Sequence, residues 1–120
     1  MPVRSLTSPV LAWPDARTVD RAARRWAEAT ASKDPGIVRI GYFGSYARGD
    51  WGVGSDLDLV IVVERAEAPF ERRACGWDLT ALPVPAEALV YTTDEWRSLA
   101  GTRFGRTLAR ECVWMHPSGA

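Results

Sequence analysis

The segment Leu57-Asp-Leu-Val-Ile-Val-Val63 limits the fold more than any other part of this chain. Its first residues alternate apolar and acidic, and its far end is an unbroken apolar run. A half-exposed strand alternates throughout, so a strand of this kind is expected to be covered on both faces. That calls for a layered domain in which helices pack on a sheet. The 120 residues, 47% hydrophobic and 25% charged, suit one domain with one buried core and exclude a disordered chain.

The other elements follow from local pattern. Ile37–Phe43 is β-branched and aromatic and predicts a second strand. Thr18–Ser32 is Ala-rich, with Val19, Ala22, Ala23, Trp26 and Ala29 at helical spacing, and Asp34-Pro35-Gly36 stops it. On that helix Asp20–Arg24 and Arg24–Glu28 are i,i+4 pairs, so its arginines read as a solvated face. Residues 64–78 predict a helix of low amphipathic clarity. Ala86–Tyr91 predicts a third strand after Pro83 and Pro85. Thr92 and Glu95 form a capping box, which starts a helix from Thr93 to about Ala100. A second helix from about Thr102 to Glu111 and a short strand Cys112–Met115 complete the reading. The first 16 residues form an irregular lead-in, with a short structured piece around Val10–Trp13. The whole reads as a single α/β or α+β domain over 1–120.

Charge and cysteine usage narrow the function classes. Fifteen Lys and Arg balance fifteen Asp and Glu, which argues against gripping nucleic acid through bulk charge. Cys75 and Cys112 lie far apart and His116 is the only histidine, so a zinc site of ordinary spacing is excluded. Both cysteines read as packing residues of a reduced chain. No apolar run approaches the ~20 residues of a membrane span, and the start lacks an apolar signal core. The expectation is a soluble, cytoplasmic protein.

The chemistry concentrates in Phe43-Gly-Ser-Tyr-Ala-Arg-Gly-Asp-Trp-Gly-Val-Gly-Ser-Asp-Leu-Asp-Leu-Val60. A strand ends at Phe43, and Gly44-Ser45 opens a short turn of helix. Free backbone N–H groups and a hydroxyl at such a turn suit an anion, and glycine lets a phosphate approach the backbone. Asp56 and Asp58, two apart on the next strand, share a face while Leu57 and Leu59 point into the core. Two carboxylates so placed can hold a hard divalent cation through oxygen. Glu87, at the start of the third strand, can complete the metal site or act as general base. Trp51, within the loop, either stacks on a base or anchors the loop.

Gly44-Ser45, then ten residues, then Asp56-Leu57-Asp58-Leu59 resembles the signature of the DNA-polymerase-β-like nucleotidyltransferases. The fuller Gly-Ser-Tyr-Ala-Arg-Gly and Ser-Asp-Leu-Asp-Leu text resembles the minimal group of that superfamily. The resemblance implies an α+β fold, a small mixed β-sheet with helices packed on it. It implies that Gly44 and Ser45 hold the phosphates of a nucleoside triphosphate and that Asp56 and Asp58 bind Mg²⁺. Glu87 matches the third carboxylate, where the family usually has Asp. Arg48 lies near the phosphates or pairs with an acid.

The reaction so implied moves a nucleoside monophosphate, AMP from ATP in the first reading, to an acceptor hydroxyl. The chain has no room for a substrate domain, so the acceptor would be met on a partner or on a homo-oligomer surface. The resemblance also implies a small helical HEPN-type partner, toward which minimal nucleotidyltransferases act as antitoxins. The alternative is a nucleotide-binding module that neutralises its partner by contact, with little turnover. The paired carboxylates, held together at a repulsive cost, count against it.

Overall fold

The computed structural model describes residues 13–118. The lead-in expected around Val10–Ala12 lies outside the described residues. Helix α1 is Ala16–Lys33, started by the Asp15 carboxylate, which accepts the Thr18 N–H at 2.8 Å. Strand β1 is Ile37–Phe43, a single turn α2 is Ser45–Arg48, and β2 is Leu57–Val63. A short turn α3, Phe70–Arg73, runs into a 3₁₀ turn at Ala74–Gly76. Strand β3 is Ala86–Thr92, followed by α4 (Thr93–Leu99), α5 (Arg103–Glu111) and β4 (Val113–His116). No helix among the described residues is long and apolar enough to cross a membrane.

The four strands form one mixed sheet in the order β3-β2-β1-β4. β1 is antiparallel to both β2 and β4, while β2 and β3 are parallel. On one face α1 buries Val19, Ala23, Trp26 and Ala27 against Ile40, Tyr42, Leu57, Leu59, Ile61 and Val90. Val60 and Val62 alternate to the other face and are as fully buried there, as is Leu108 of α5. The central strand is thus covered on both sides, as its apolar far end requires.

Strand directions bring four ends together. The C-terminal end of β1 meets the N-terminal end of β2 through the pair Phe43–Asp58. The parallel partner of Asp58 on β3 is Glu87. Tyr42 of β1 pairs with Val113, so the end of α5 arrives at this same rim.

The expected helix over 64–78 is not formed. Pro69 lacks the N–H an interior turn needs and biases Ala68 toward extended backbone, so only one turn follows it. Arg73 then ties the segment down. It donates to the carbonyls of Ala68 (2.9 Å) and Val90 (3.1 Å) and pairs with Glu95. Cys75 lies exposed on this segment, against the expected packing role, whereas Cys112 is half-buried. Burial pushes the Cys112 thiol up to about 12, which suits a packing role. Asp20 and Arg24 pair at 2.9 Å, as expected; an Arg24–Glu28 pair is not among those found in the described residues.

The capping box at Thr92 is present in both directions. Thr92 Oγ1 accepts the Glu95 N–H, and a Glu95 carboxylate oxygen accepts the Thr92 N–H at 2.8 Å. Arg73 and then that N–H hold the Glu95 carboxyl down at about 2. Because its folded pKa lies below the unfolded value, Glu95 stabilises the fold above the usual carboxylate range, and the effect is lost as pH falls toward about 2. Glu95→Gln should therefore lower the thermal midpoint at pH 7. The gap between the two proteins should close between pH 4.5 and 2, measured as paired melting curves. A gap independent of pH would contradict this.

Candidate active site

At the end of β1 the backbone enters a region open in practice to glycine alone, with Gly44 at φ 81° and ψ −153°. A β-carbon at Gly44 would collide with the Asp58 carboxylate. The missing side chain therefore makes room first for an acid of the neighbouring strand. The turn closes on itself, since the N–H groups of Ala47 and Arg48 donate to the Gly44 carbonyl at 3.0 and 2.9 Å. Gly49, left-handed at φ 89°, ends it. Among the described residues the N–H groups of Ser45 and Tyr46 donate to no backbone carbonyl, as is usual for the first N–H groups of a helical turn, where an anion can be met.

The loop that follows is pinned. Tyr46 is buried and its ring stacks on Trp51 with centroids 5.6 Å apart. Its hydroxyl donates to the Ser55 carbonyl at 3.4 Å and accepts the Trp13 indole N–H at 3.2 Å. Of the two readings of Trp51, anchoring the loop is the one this packing supports.

Asp56 immediately precedes β2 and is exposed; Asp58 is half-buried within it, and Glu87 is exposed beside Asp58. Leu57 and Leu59 between and beyond the aspartates are fully buried, as expected. Adjacent strands run ~4.8 Å apart, so Asp58 and Glu87 are lateral neighbours. Burial, then the charges of Glu87 and Asp56, raise the Asp58 carboxyl above its ordinary pKa, with Arg48 opposing. Asp58 therefore senses both of the other carboxylates. Among the described residues no group of three or more His, Cys, Asp or Glu side chains is placed to hold a metal ion together. The donors of Asp56 and Asp58 are all oxygen, the chemistry that fits Mg²⁺, which takes one or two carboxylates plus waters and substrate phosphates.

Arg48 is clasped by two acids. Its Nε donates to Asp50 at 3.1 Å and its Nη1 to Glu111 at 3.1 Å. Those hydrogen bonds, Asp50's first, raise its pKa above the ordinary value. Glu111 also accepts the Gly44 N–H through its other oxygen at 3.2 Å. Sequence reasoning passed over Glu111, which lies 67 residues from Gly44. One local signal existed: an acid closing a helix sits against the helix dipole. A cavity of about 620 Å³ between α1 and the 76–81 segment lies away from these groups.

Comparison with known proteins bears on this arrangement. The family model described as a nucleotidyltransferase domain matches residues 23–101, well over half of the chain. That span contains the Gly44 turn and all three carboxylates of Asp56, Asp58 and Glu87. Among solved structures, the chain is similar to a candidate nucleotidyltransferase from Sulfolobus solfataricus. The two share 21% identity over 89% of this chain and 85% of that one, with a TM-score of 0.59. At this identity the likeness shows the fold, the α+β arrangement with a mixed sheet. No curated protein matches the chain.

The electrostatics of Asp58 carry a consequence for stability. A raised folded pKa means that the folded chain holds the proton more tightly than the unfolded one. Stability is then lost as pH rises through the carboxylate range, and the loss is complete at neutral pH. Asp58→Asn should raise the thermal midpoint of the metal-free protein at pH 7 by a few degrees. The two proteins should converge at pH 3. A variant that melts lower than the parent at pH 7 would show that the Asp58 charge is compensated rather than repelled.

Proposed function

This chain belongs to the nucleotidyltransferase domain family, and on that premise we propose that it transfers AMP from ATP to an acceptor hydroxyl and releases pyrophosphate. The observation that carries the reading is the contact of Asp58 with the Gly44 turn on one side and its pairing with Glu87 on the other. Phosphate-binding and cation-binding groups are thereby parts of one surface.

The chain's own groups divide the work. The hydroxyl and N–H of Ser45 hold the triphosphate; Gly44, whose N–H is taken by Glu111, shapes the turn through its missing side chain and donates nothing to the phosphates. Asp56 and Asp58 hold Mg²⁺, with Glu87 as third ligand or as general base. When bound, Mg²⁺ supplies charge neutralisation on the phosphates and polarises the acceptor. The acceptor oxygen forms a bond to the α-phosphorus, the bond from that phosphorus to the bridging oxygen breaks, and pyrophosphate leaves with the electron pair. As general base, Glu87 takes the acceptor's proton. Arg48, which sequence analysis assigned to the nucleotide, is engaged by Asp50 and Glu111; its share in binding is second to that of the turn.

We place the acceptor on a protein partner, a small helical one of HEPN type, toward which this chain acts as a cytoplasmic antitoxin. The support for that step is the resemblance of Gly44–Leu59 to the minimal nucleotidyltransferases.

Binding of ATP, followed by tryptophan fluorescence, should require Mg²⁺ and vanish in the Asp56→Asn, Asp58→Asn double variant. Losing one hydroxyl contact to a charged oxygen costs ~1.5–3 kcal/mol, so Ser45→Ala should weaken binding about ten- to a hundredfold. Equal affinity in parent and double variant would remove the cation site from the account.

Glu87→Gln separates the roles of that residue. As base, its loss should cut AMP incorporation by ~10²–10⁴ with an unchanged Mg²⁺ requirement. As ligand, its loss should raise the Mg²⁺ concentration needed for ATP binding. Incorporation is read by mass spectrometry of the partner, beside its neutralisation. A parent that neutralises without labelling would overturn transfer as the function.

A further inference from the structure

We propose that Glu111 is the positioning residue of the phosphate-binding turn: its single carboxylate fastens both the Gly44 backbone and the Arg48 guanidinium to α5, and Arg48 acts through this clasp rather than as an independent phosphate ligand. The proposal rests on the nucleotide reading given above.

The geometry is specific. One oxygen of Glu111 accepts the Gly44 N–H at 3.2 Å and the other accepts Arg48 Nη1 at 3.1 Å. Its side chain is only 15% exposed, against 50% for Arg48. Gly44 is buried, and within the described residues Glu111 is the acceptor of its N–H. A buried N–H without an acceptor is strongly disfavoured, so the carboxylate completes the backbone at the point where β1 becomes the turn.

The helix that carries Glu111 is itself fixed. Thr102 caps α5 by accepting the Gly105 N–H at 3.0 Å, and Gly105 and Leu108 are buried. A β-carbon at Gly105 would collide with the Leu99 carbonyl, so α4 and α5 are in backbone contact. At its other end α5 passes through Cys112 into β4, which pairs with β1. The clasp thus joins the turn to a strut that is already held at both ends.

An acid in this place carries two costs. It closes a helix, where the dipole disfavours a negative charge. It also adds its charge to those around Asp58. What offsets them is a pair of charge-assisted hydrogen bonds, stronger than their neutral counterparts, made to the two ends of one turn. Arg48 is meanwhile held between Glu111 and Asp50, so its positive charge is already matched before any phosphate arrives.

The test compares the full-length parent with Glu111→Gln, Glu111→Ala, Arg48→Gln and the Glu111→Ala, Arg48→Gln double variant. Two quantities are read on proteins whose melting is cooperative. One is amide hydrogen exchange at Gly44 without ligand, which reports the clasp itself. The other is the Kd for ATP with Mg²⁺. Glu111→Ala should speed Gly44 exchange and raise Kd about tenfold. Glu111→Gln keeps an acceptor for the N–H and should recover part of both effects, and it also carries the test if the Ala variant does not fold. The double variant should bind within about twofold of Glu111→Ala, because two residues acting as one unit do not add. Faster Gly44 exchange with parental or tighter Kd would overturn the proposal; tighter binding would mean that Glu111 competes with the triphosphate. Additive losses in the double variant would also overturn it, by making Arg48 a direct phosphate ligand. A parent that does not bind ATP with Mg²⁺ would bring down the nucleotide reading and this proposal with it, a failure visible in the parent alone.

Discussion

Gly44 has no β-carbon, and the Asp58 carboxylate lies where that atom would be. Much of the candidate site hangs on this contact. It sets the turn that begins at Ser45 directly against the acidic end of β2, and any larger residue would drive the two apart. It also fixes the backbone at φ 81°, from which the chain starts its single helical turn. The site is therefore a junction between adjacent strands, with Asp56 and Glu87 open to solvent and Asp58 half-buried between them.

The sheet supplies the convergence. An antiparallel β1–β2 pair places the exit of β1 beside the entry of β2, and a parallel β2–β3 pair places the entry of β3 there as well. Gly44, Asp58 and Glu87 meet because these three strand ends share one rim. The antiparallel β1–β4 pair returns the end of α5 to the same rim, and Glu111 with it. Beneath this rim the far half of β2 is buried on both faces, so the acids project from a strand rooted in the core.

Most of this was legible in the sequence, for reasons that differ by element. Ile37–Phe43 and Leu57–Val63 stand out because β-branched runs bounded by glycine or by charged residues admit little besides a strand, and both have the expected bounds. The capping box at Thr92 is local chemistry and was equally plain. Residues 64–78 misled because Ala, Glu and Arg favour helix, while Pro69 and the long-range ties of Arg73 decide the outcome. In the site, the spacing of Gly44, Ser45, Asp56 and Asp58 suggested the chemistry, and β2–β3 pairing sets Glu87 beside Asp58. Glu111 was out of reach because its partners lie 67 and 63 residues away and its contacts exist only after the sheet has closed. At Gly44 close approach was expected from a phosphate, and the group the structure places there is the Asp58 carboxylate.

The account predicts that the turn and the carboxylates are one site, and paramagnetic relaxation tests this most directly. With Mn²⁺ in place of Mg²⁺ and ATP present, amide resonances of Ser45, Asp56, Asp58 and Glu87 should broaden together. Those of Ala23 and Ala27, buried under the opposite face of the sheet, should stay sharp. Broadening at Asp56 and Asp58 that leaves Ser45 sharp, or broadening centred on α1, would contradict the claim that phosphate and cation are held by one continuous surface.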